Sequence, residues 1–117
     1  MSPASPAQRR RKGRAAERET IGYMTYAGIE VQDCNRSGFA GADLLVPDLL
    51  SGEVKAHRSY DFGAWLRQAE ADAPEGTLPA VIAKRNGTTD VGKWFFVMEL
   101  SQAVELLKLA QKGQASE

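Results

Sequence analysis

The chain has 117 residues, 43% hydrophobic and 26% charged, and its 15 basic residues balance its 15 acidic ones. That length supports one domain with a real core and one functional site, and excludes two domains. Zero net charge excludes no partner, but the distribution is lopsided: Arg9, Arg10, Arg11, Lys12, Arg14 and Arg18 crowd one stretch and leave the remainder slightly acidic. The lone cysteine, Cys34, excludes an internal disulfide and a cysteine-rich zinc site, which fits a reducing compartment. With no histidine near it in sequence, Cys34 reads as a small buried residue at a strand end rather than a catalytic thiol. The longest apolar stretch, Trp94 to Met98, is far below membrane-spanning length, and no secretory region is visible. A cytoplasmic protein with no membrane partner is the expectation.

Residues 1–10, rich in proline, small and basic residues without apolar periodicity, read as a disordered basic leader, 11–112 as a single domain and 113–117 as a flexible tail. Ala15 to Ala27 carries Ala15, Ile21, Met24 and Tyr23 at helical spacing, and Gly28 follows as the residue that ends the helix. Thr20, Gly22 and Thr25 are poor helix formers within it. Ile29 to Cys34 alternates as a strand. Asn35 to Gly38 reads as a loop. Ala42 to Val46 and Gly52 to His57 are strands joined by a turn at Pro47-Asp48, so an antiparallel hairpin is predicted. Asp61 caps a helix over Phe62 to Asp72, with Phe62, Trp65, Leu66 and Ala69 at i, i+3, i+4, i+7. Pro74-Glu75-Gly76 stops that helix. Leu78 to Ala83 and Lys93 to Met98 are two further strands, with Pro79 at a strand start or on an edge. A last helix, Ser101 to Gln111, is expected to be capped by Ser101 and to bury Val104, Leu107 and Leu106. The order describes an α/β fold, a mixed five-stranded sheet flanked by helices, without internal repeats.

One constellation carries chemistry. Side chains alternate along a strand, so Glu53, Lys55 and His57 share one face while Val54 and Ala56 share the other. Three polar groups on one face of an otherwise apolar strand are a poor choice for a core. Asp43, on the neighbouring strand of the hairpin, comes close enough for its carboxylate to meet that of Glu53. Two such carboxylates repel unless a cation lies between them. Hard oxygen ligands without a Cys or His cluster favour Mg²⁺ or Mn²⁺. The Val54 carbonyl offers a further oxygen, and Glu17 with Glu19 adds acids from the first helix. In such a site the metal polarises a phosphate oxygen and Lys55 orients water or neutralises charge on the phosphorane. The competing reading is a solvated Glu–Lys pair, because a short D…ExK string arises by chance in many sequences.

Arg11-Lys12-Gly13-Arg14-Ala15-Ala16-Glu17-Arg18-Glu19 resembles the opening of archaeal-type Holliday junction resolvases, an RKG, a short spacer and an ERE triplet. The likeness continues through Gly28-Ile29-Glu30-Val31, Ser37-Gly38, Gly41-Ala42-Asp43-Leu44-Leu45, Glu53-Val54-Lys55 and Gly92-Lys93-Trp94-Phe95-Phe96-Val97. It thus spans most of the chain. These enzymes, with similar small nucleases of phages and actinobacteria, belong to the PD-(D/E)xK, restriction-endonuclease-like superfamily. The resemblance implies that Glu17, Asp43, Glu53 and Lys55 form the catalytic set, with Glu17, Asp43, Glu53 and Val54 holding Mg²⁺ or Mn²⁺. It implies DNA contacts from Arg11, Lys12, Arg14, Arg18, Arg36 and Ser37, and a homodimer, since symmetrical cutting of a four-way junction needs two sites. Asn35-Arg36-Ser37 keeps the family's arginine near its serine-containing loop, while the strand before it ends differently. Neutral overall charge is a second departure, because such resolvases are often basic.

Gln68 on the second helix and His57 at the strand end are candidates for supporting roles, each weighed against simple solvent exposure. Lys84 and Arg85 stand where a strand-end base can touch a phosphate or merely be solvated. Trp65, Trp94 and Phe95 read as core or dimer-interface residues. The expected activity is a metal-dependent, structure-selective DNA endonuclease resolving Holliday junctions. The alternatives are a nuclease of the same fold acting on flaps, forks or a restriction-type duplex site, and a non-catalytic DNA-binding subunit.

Overall fold

The computed structural model describes residues 5–35 and 41–115. Helix α1 spans Pro6–Tyr26 and so begins well before the predicted Ala15. A capping box starts it: the Ser5 hydroxyl accepts from the Gln8 N–H at 3.2 Å and the Gln8 side chain accepts from the Ser5 N–H at 2.8 Å. Pro6 occupies the first helical position, where its missing N–H and fixed φ cost nothing. Residues 6–10, read from sequence as a disordered leader, are therefore the first turns of α1, whereas residues 1–4 lie outside the described residues. Thr20 is tolerated because its hydroxyl donates to the Ala16 carbonyl at 2.8 Å. The helix ends as predicted. Gly28 adopts φ 94°, its N–H reaches the Thr25 carbonyl at 3.0 Å, and the Ile29 N–H reaches the Met24 carbonyl at 3.0 Å.

Strands β1 (Gln32–Asp33), β2 (Leu44–Val46), β3 (Leu50–Lys55), β4 (Leu78–Ala83) and β5 (Phe95–Val97) lie in that order in one sheet. Neighbours are antiparallel except β3 and β4, which are parallel. A parallel step needs a crossover, and helix α2 (Phe62–Asp72) supplies it between β3 and β4. Asp61 caps α2 through the Ala64 N–H at 3.3 Å, as predicted.

Several strands are shorter than predicted. Ile29 is 44% exposed, and β1 is only the two residues Gln32–Asp33, each paired with β2. The β2–β3 turn closes with the Leu49 N–H on the Val46 carbonyl at 3.0 Å, Pro47 at its second position and Asp48 at φ 62°. So tight a turn lets β3 start at Leu50 rather than Gly52, and it ends at Lys55, before His57. A short 3-10 turn, Val91–Lys93, replaces the start of the strand predicted from Lys93. Pro79 is the second residue of β4. The N–H groups of Leu78 and Lys84 donate to β3, so alternation turns the Pro79 nitrogen toward β5, whose pairing begins only at Val81.

The core lies on both faces of the sheet. Leu44, Leu50, Val54, Ala80 and Ile82 pack with Ala16 of α1, while Val81 and Ala83 pack with Trp65 and Ala69 of α2. Gly52 faces the first group, where a Cβ would meet Leu44 Cδ1 at 2.8 Å and Ile82 Cδ1 at 2.9 Å. Helix α3 (Leu100–Ala115) corrects the sequence reading twice. Ser101 is not its cap, for the helix begins at Leu100 and the Gln102 and Ala103 N–H groups reach the Glu99 carbonyl at 3.0 and 2.9 Å. Val104 and Leu107, expected in the core, are 39% and 61% exposed, and Leu106 is half-buried. With α1 and α2 already covering the sheet, α3 has little apolar surface left to close.

Candidate active site

The β2–β3 register pairs Leu44 with Gly52, and one further step sets Asp43 opposite Glu53. Asp43 is tied there by its N–H on the Gly52 carbonyl at 3.0 Å and by its Oδ2, which accepts from the Val54 N–H at 2.8 Å. Glu53 is 3% exposed. Burial raises its pKa to about 9, with further contributions from the Asp43 charge and from carboxyl contacts with Asp72 and Asp43. Glu53 therefore holds a proton at neutral pH. Its Oε1 has no hydrogen-bond partner among the described residues.

Lys55, on the same face, donates to Gln68 Oε1 at 2.6 Å. The pairing follows from element geometry. Two residues along a strand advance about 6.6 Å and one turn of helix about 5.4 Å, so the i, i+2 pair Glu53 and Lys55 matches the i, i+4 pair Asp72 and Gln68 on the returning helix. Gln68 is thus bound to the site although its side chain is exposed.

Glu17 approaches from α1 through an intermediary. The Asn35 amide nitrogen donates to Glu17 Oε2 at 2.8 Å and to Asp43 Oδ1 at 3.1 Å. Burial raises the Glu17 pKa, the Asn35 hydrogen bond opposes that shift, and the Asp43 charge adds to it. The three carboxylates expected to converge thus meet as a contacting pair, Asp43 and Glu53, with Glu17 one amide away. Among the described residues no three His, Cys, Asp or Glu side chains are grouped closely enough to cage a metal.

The Val54 carbonyl is the remaining oxygen named from sequence. In the parallel ladder the Leu49 and Lys55 carbonyls accept from β4, so alternation turns the Val54 carbonyl to the β2 side, where its own N–H meets Asp43. Two carboxylates, one with an unpartnered oxygen, beside that carbonyl make a hard-oxygen donor set. A divalent cation would replace the Glu53 proton as the compensating charge, so the residues fit Mg²⁺ or Mn²⁺.

Other candidates sort by position. Arg14 and Arg18 are exposed on α1 and, with Glu17, Ile21, Gly22 and Asp33, line an open cleft of about 480 Å³ beside the acids. The side chains of Arg11 and Lys12, and all of Arg36 and Ser37, lie outside the described residues. Glu19 is exposed on α1. His57 stays on the α2 side of the sheet, as Glu53 and Lys55 do. It lies beyond β3, with its ring 5.1 Å from that of Trp65. Cys34 is fully buried, and burial together with Asp33, Asp43 and Glu53 pushes its thiol pKa up, the opposite of what a thiolate nucleophile needs.

Sequence reasoning missed Asn35 and Asp72 as members of the site. Asp72 had a readable signal, its place one helical turn after Gln68. Asn35 had none without the strand register. No family model, curated protein or solved structure matches the chain. No helix among the described residues is long and apolar enough to cross a membrane.

Proposed function

We propose that the protein is a metal-dependent endodeoxyribonuclease of the restriction-endonuclease-like PD-(D/E)xK superfamily that resolves Holliday junctions as a homodimer. The observation that carries the reading is the contact of Asp43 with the buried Glu53, two residues along the strand from a lysine held in place by Gln68. A core has no use for such a pair, since burying a carboxyl disfavours its charged form and Asp43 adds repulsion. Asp43, Glu53, the Val54 carbonyl and Glu17 would hold Mg²⁺ or Mn²⁺, which supplies Lewis-acid polarisation of the scissile phosphate and acidifies water. Lys55, fixed by Gln68, places a positive charge where the phosphorane becomes more negative. Asn35 keeps Glu17 and Asp43 from separating.

Arg14 and Arg18 border the cleft next to Glu17, where the phosphate backbone of DNA would add affinity without reading sequence. Leu100, Val104 and Leu107, exposed at i, i+4, i+7 on α3, provide an apolar face for a second copy, whose site would cut the opposing strand. The test is incubation of the full chain with an end-labelled immobile four-way junction and a matched duplex, in Mg²⁺ and in EDTA. Paired symmetrical nicks on the junction alone, lost in EDTA, are expected. Equal cutting of the duplex would leave a nuclease of another substrate, and tight binding without any cleavage would contradict the enzyme reading.

A further inference from the structure

Beside Lys55 the segments leaving β3 and β4 are stitched together. The Lys84 N–H donates to the Lys55 carbonyl at 2.8 Å. The Asn86 side-chain amide donates to the His57 and Arg58 carbonyls at 3.1 and 3.0 Å, and the Asn86 N–H donates to the Tyr60 hydroxyl at 2.8 Å. These bonds fix two adjacent cations, Lys84 and Arg85, at the carboxyl end of the parallel strand pair, where open α/β sheets bind their ligands.

Each cation lies against a ring. Lys84 Nζ is 5.7 Å from the Trp94 centroid and Arg85 Cζ is 5.5 Å from that of Phe95. Phe95 is itself braced edge-on by Tyr60 at 5.5 Å and Phe62 at 6.0 Å. Neither cation makes an ion pair with a described residue. A ring attracts an exposed cation by about 0.5–1 kcal/mol without neutralising it. The side chains are thus oriented while their charge stays available, which lowers the entropy lost on gripping an anion. A merely solvated strand-end base needs neither a ring beneath it nor a clamped loop behind it.

We propose that Lys84 and Arg85 form a second phosphate-binding surface, separate from that of α1, which holds the DNA backbone on the Lys55 side of the site. Arg14 and Arg18 flank Glu17, while Lys84 over Trp94 on the α1 face and Arg85 over Phe95 on the α2 face straddle the end of the sheet beside Lys55, so DNA is held on both sides of the bond to be cut. The inference rests on the nuclease reading in taking DNA as the ligand.

The test is a salt titration of binding by the full chain to a fluorescein-labelled four-way junction in EDTA. Lys84→Gln with Arg85→Gln keeps stems over the rings while removing both charges. This variant should bind about tenfold more weakly, with the slope of log K against log salt reduced by about two. Lys84→Arg with Arg85→Lys should keep the wild-type slope. Should the double Gln variant fail to fold, each single Gln variant should lower the slope by about one. Unchanged slope and affinity in a folded Gln variant would overturn this second surface alone. A wild-type chain that binds no DNA would overturn the nuclease reading itself, and shows before any substitution is made.

Discussion

Strand β3 holds two kinds of burial back to back. Its even-numbered residues, Leu50, Gly52 and Val54, face the α1 side and join an apolar core, while the odd-numbered Ser51 and Glu53 are equally buried and polar. The first face removes hydrocarbon from water at roughly 25 cal/mol per Å² and stabilises the fold. The second runs against that gain, for Ser51 Oγ and Glu53 Oε1 are both buried without partners among the described residues. One strand thus separates the residues that hold the domain together from those that prepare a site, and substitutions on the two faces should behave oppositely.

The largest stability effect is expected on the apolar face. Leu44→Ala removes a fully buried side chain and should destabilise by about 2–5 kcal/mol in urea unfolding. Gly52→Ala, whose new Cβ would press on the ends of the Leu44 and Ile82 side chains, should cost about 1–3 kcal/mol by the same measurement.

On the polar face the sign reverses. The Glu53 pKa rises from 4.5 to about 9 on folding, so between those values the folded chain keeps a proton that the unfolded chain has released. Stability from this group is therefore present below about pH 4.5 and is lost as pH climbs toward 9, by at most about 1.4 kcal/mol per pH unit. Glu53→Gln should unfold later than wild type at pH 8, with a smaller gap at pH 5; an equal gap at both would deny that folding raises the Glu53 pKa. Mg²⁺ at about ten times its Kd should stabilise the wild type by about 1.4 kcal/mol, and Asp43→Asn should lose that response. The smallest effect belongs to Asn35→Ala. It should cost about 1 kcal/mol or less, yet weaken Mg²⁺ binding measured by calorimetry, because Glu17 and Asp43 lose their shared donor.

The element order and both helix caps around α2 and Gly28 were legible because each has a local cause: Asp61 before an apolar period, and glycine at a positive φ. The start of α1 was equally legible in Ser5-Pro6-Ala7-Gln8, a capping box with proline at the first turn, but the basic run after it imitates a solvated tail. Strand ends were not legible, since pairing partners and turn geometry set them; β1 keeps only the two residues that pair with β2, and His57 falls outside β3. Helix α3 shows the reverse failure, where apolar spacing marks a face but not what covers it. Within the site, Asp43, Glu53 and Lys55 follow from alternation and a hairpin, whereas Gln68 was suggested by the resemblance to the nuclease superfamily. Asn35 depends on the approach of α1 to the β1–β2 edge, a distant pairing that no local pattern encodes.

Under the proposed activity, Asp43 and Lys55 carry the phosphodiester cleavage rather than hold the fold. Junction cleavage by wild type, Asp43→Asn and Lys55→Ala in Mg²⁺, with binding of the same junction measured in EDTA, tests it most directly. Each variant is expected to lose at least about a hundredfold in rate while its unfolding transition and junction affinity stay close to wild type. Undiminished cutting by both variants would contradict it.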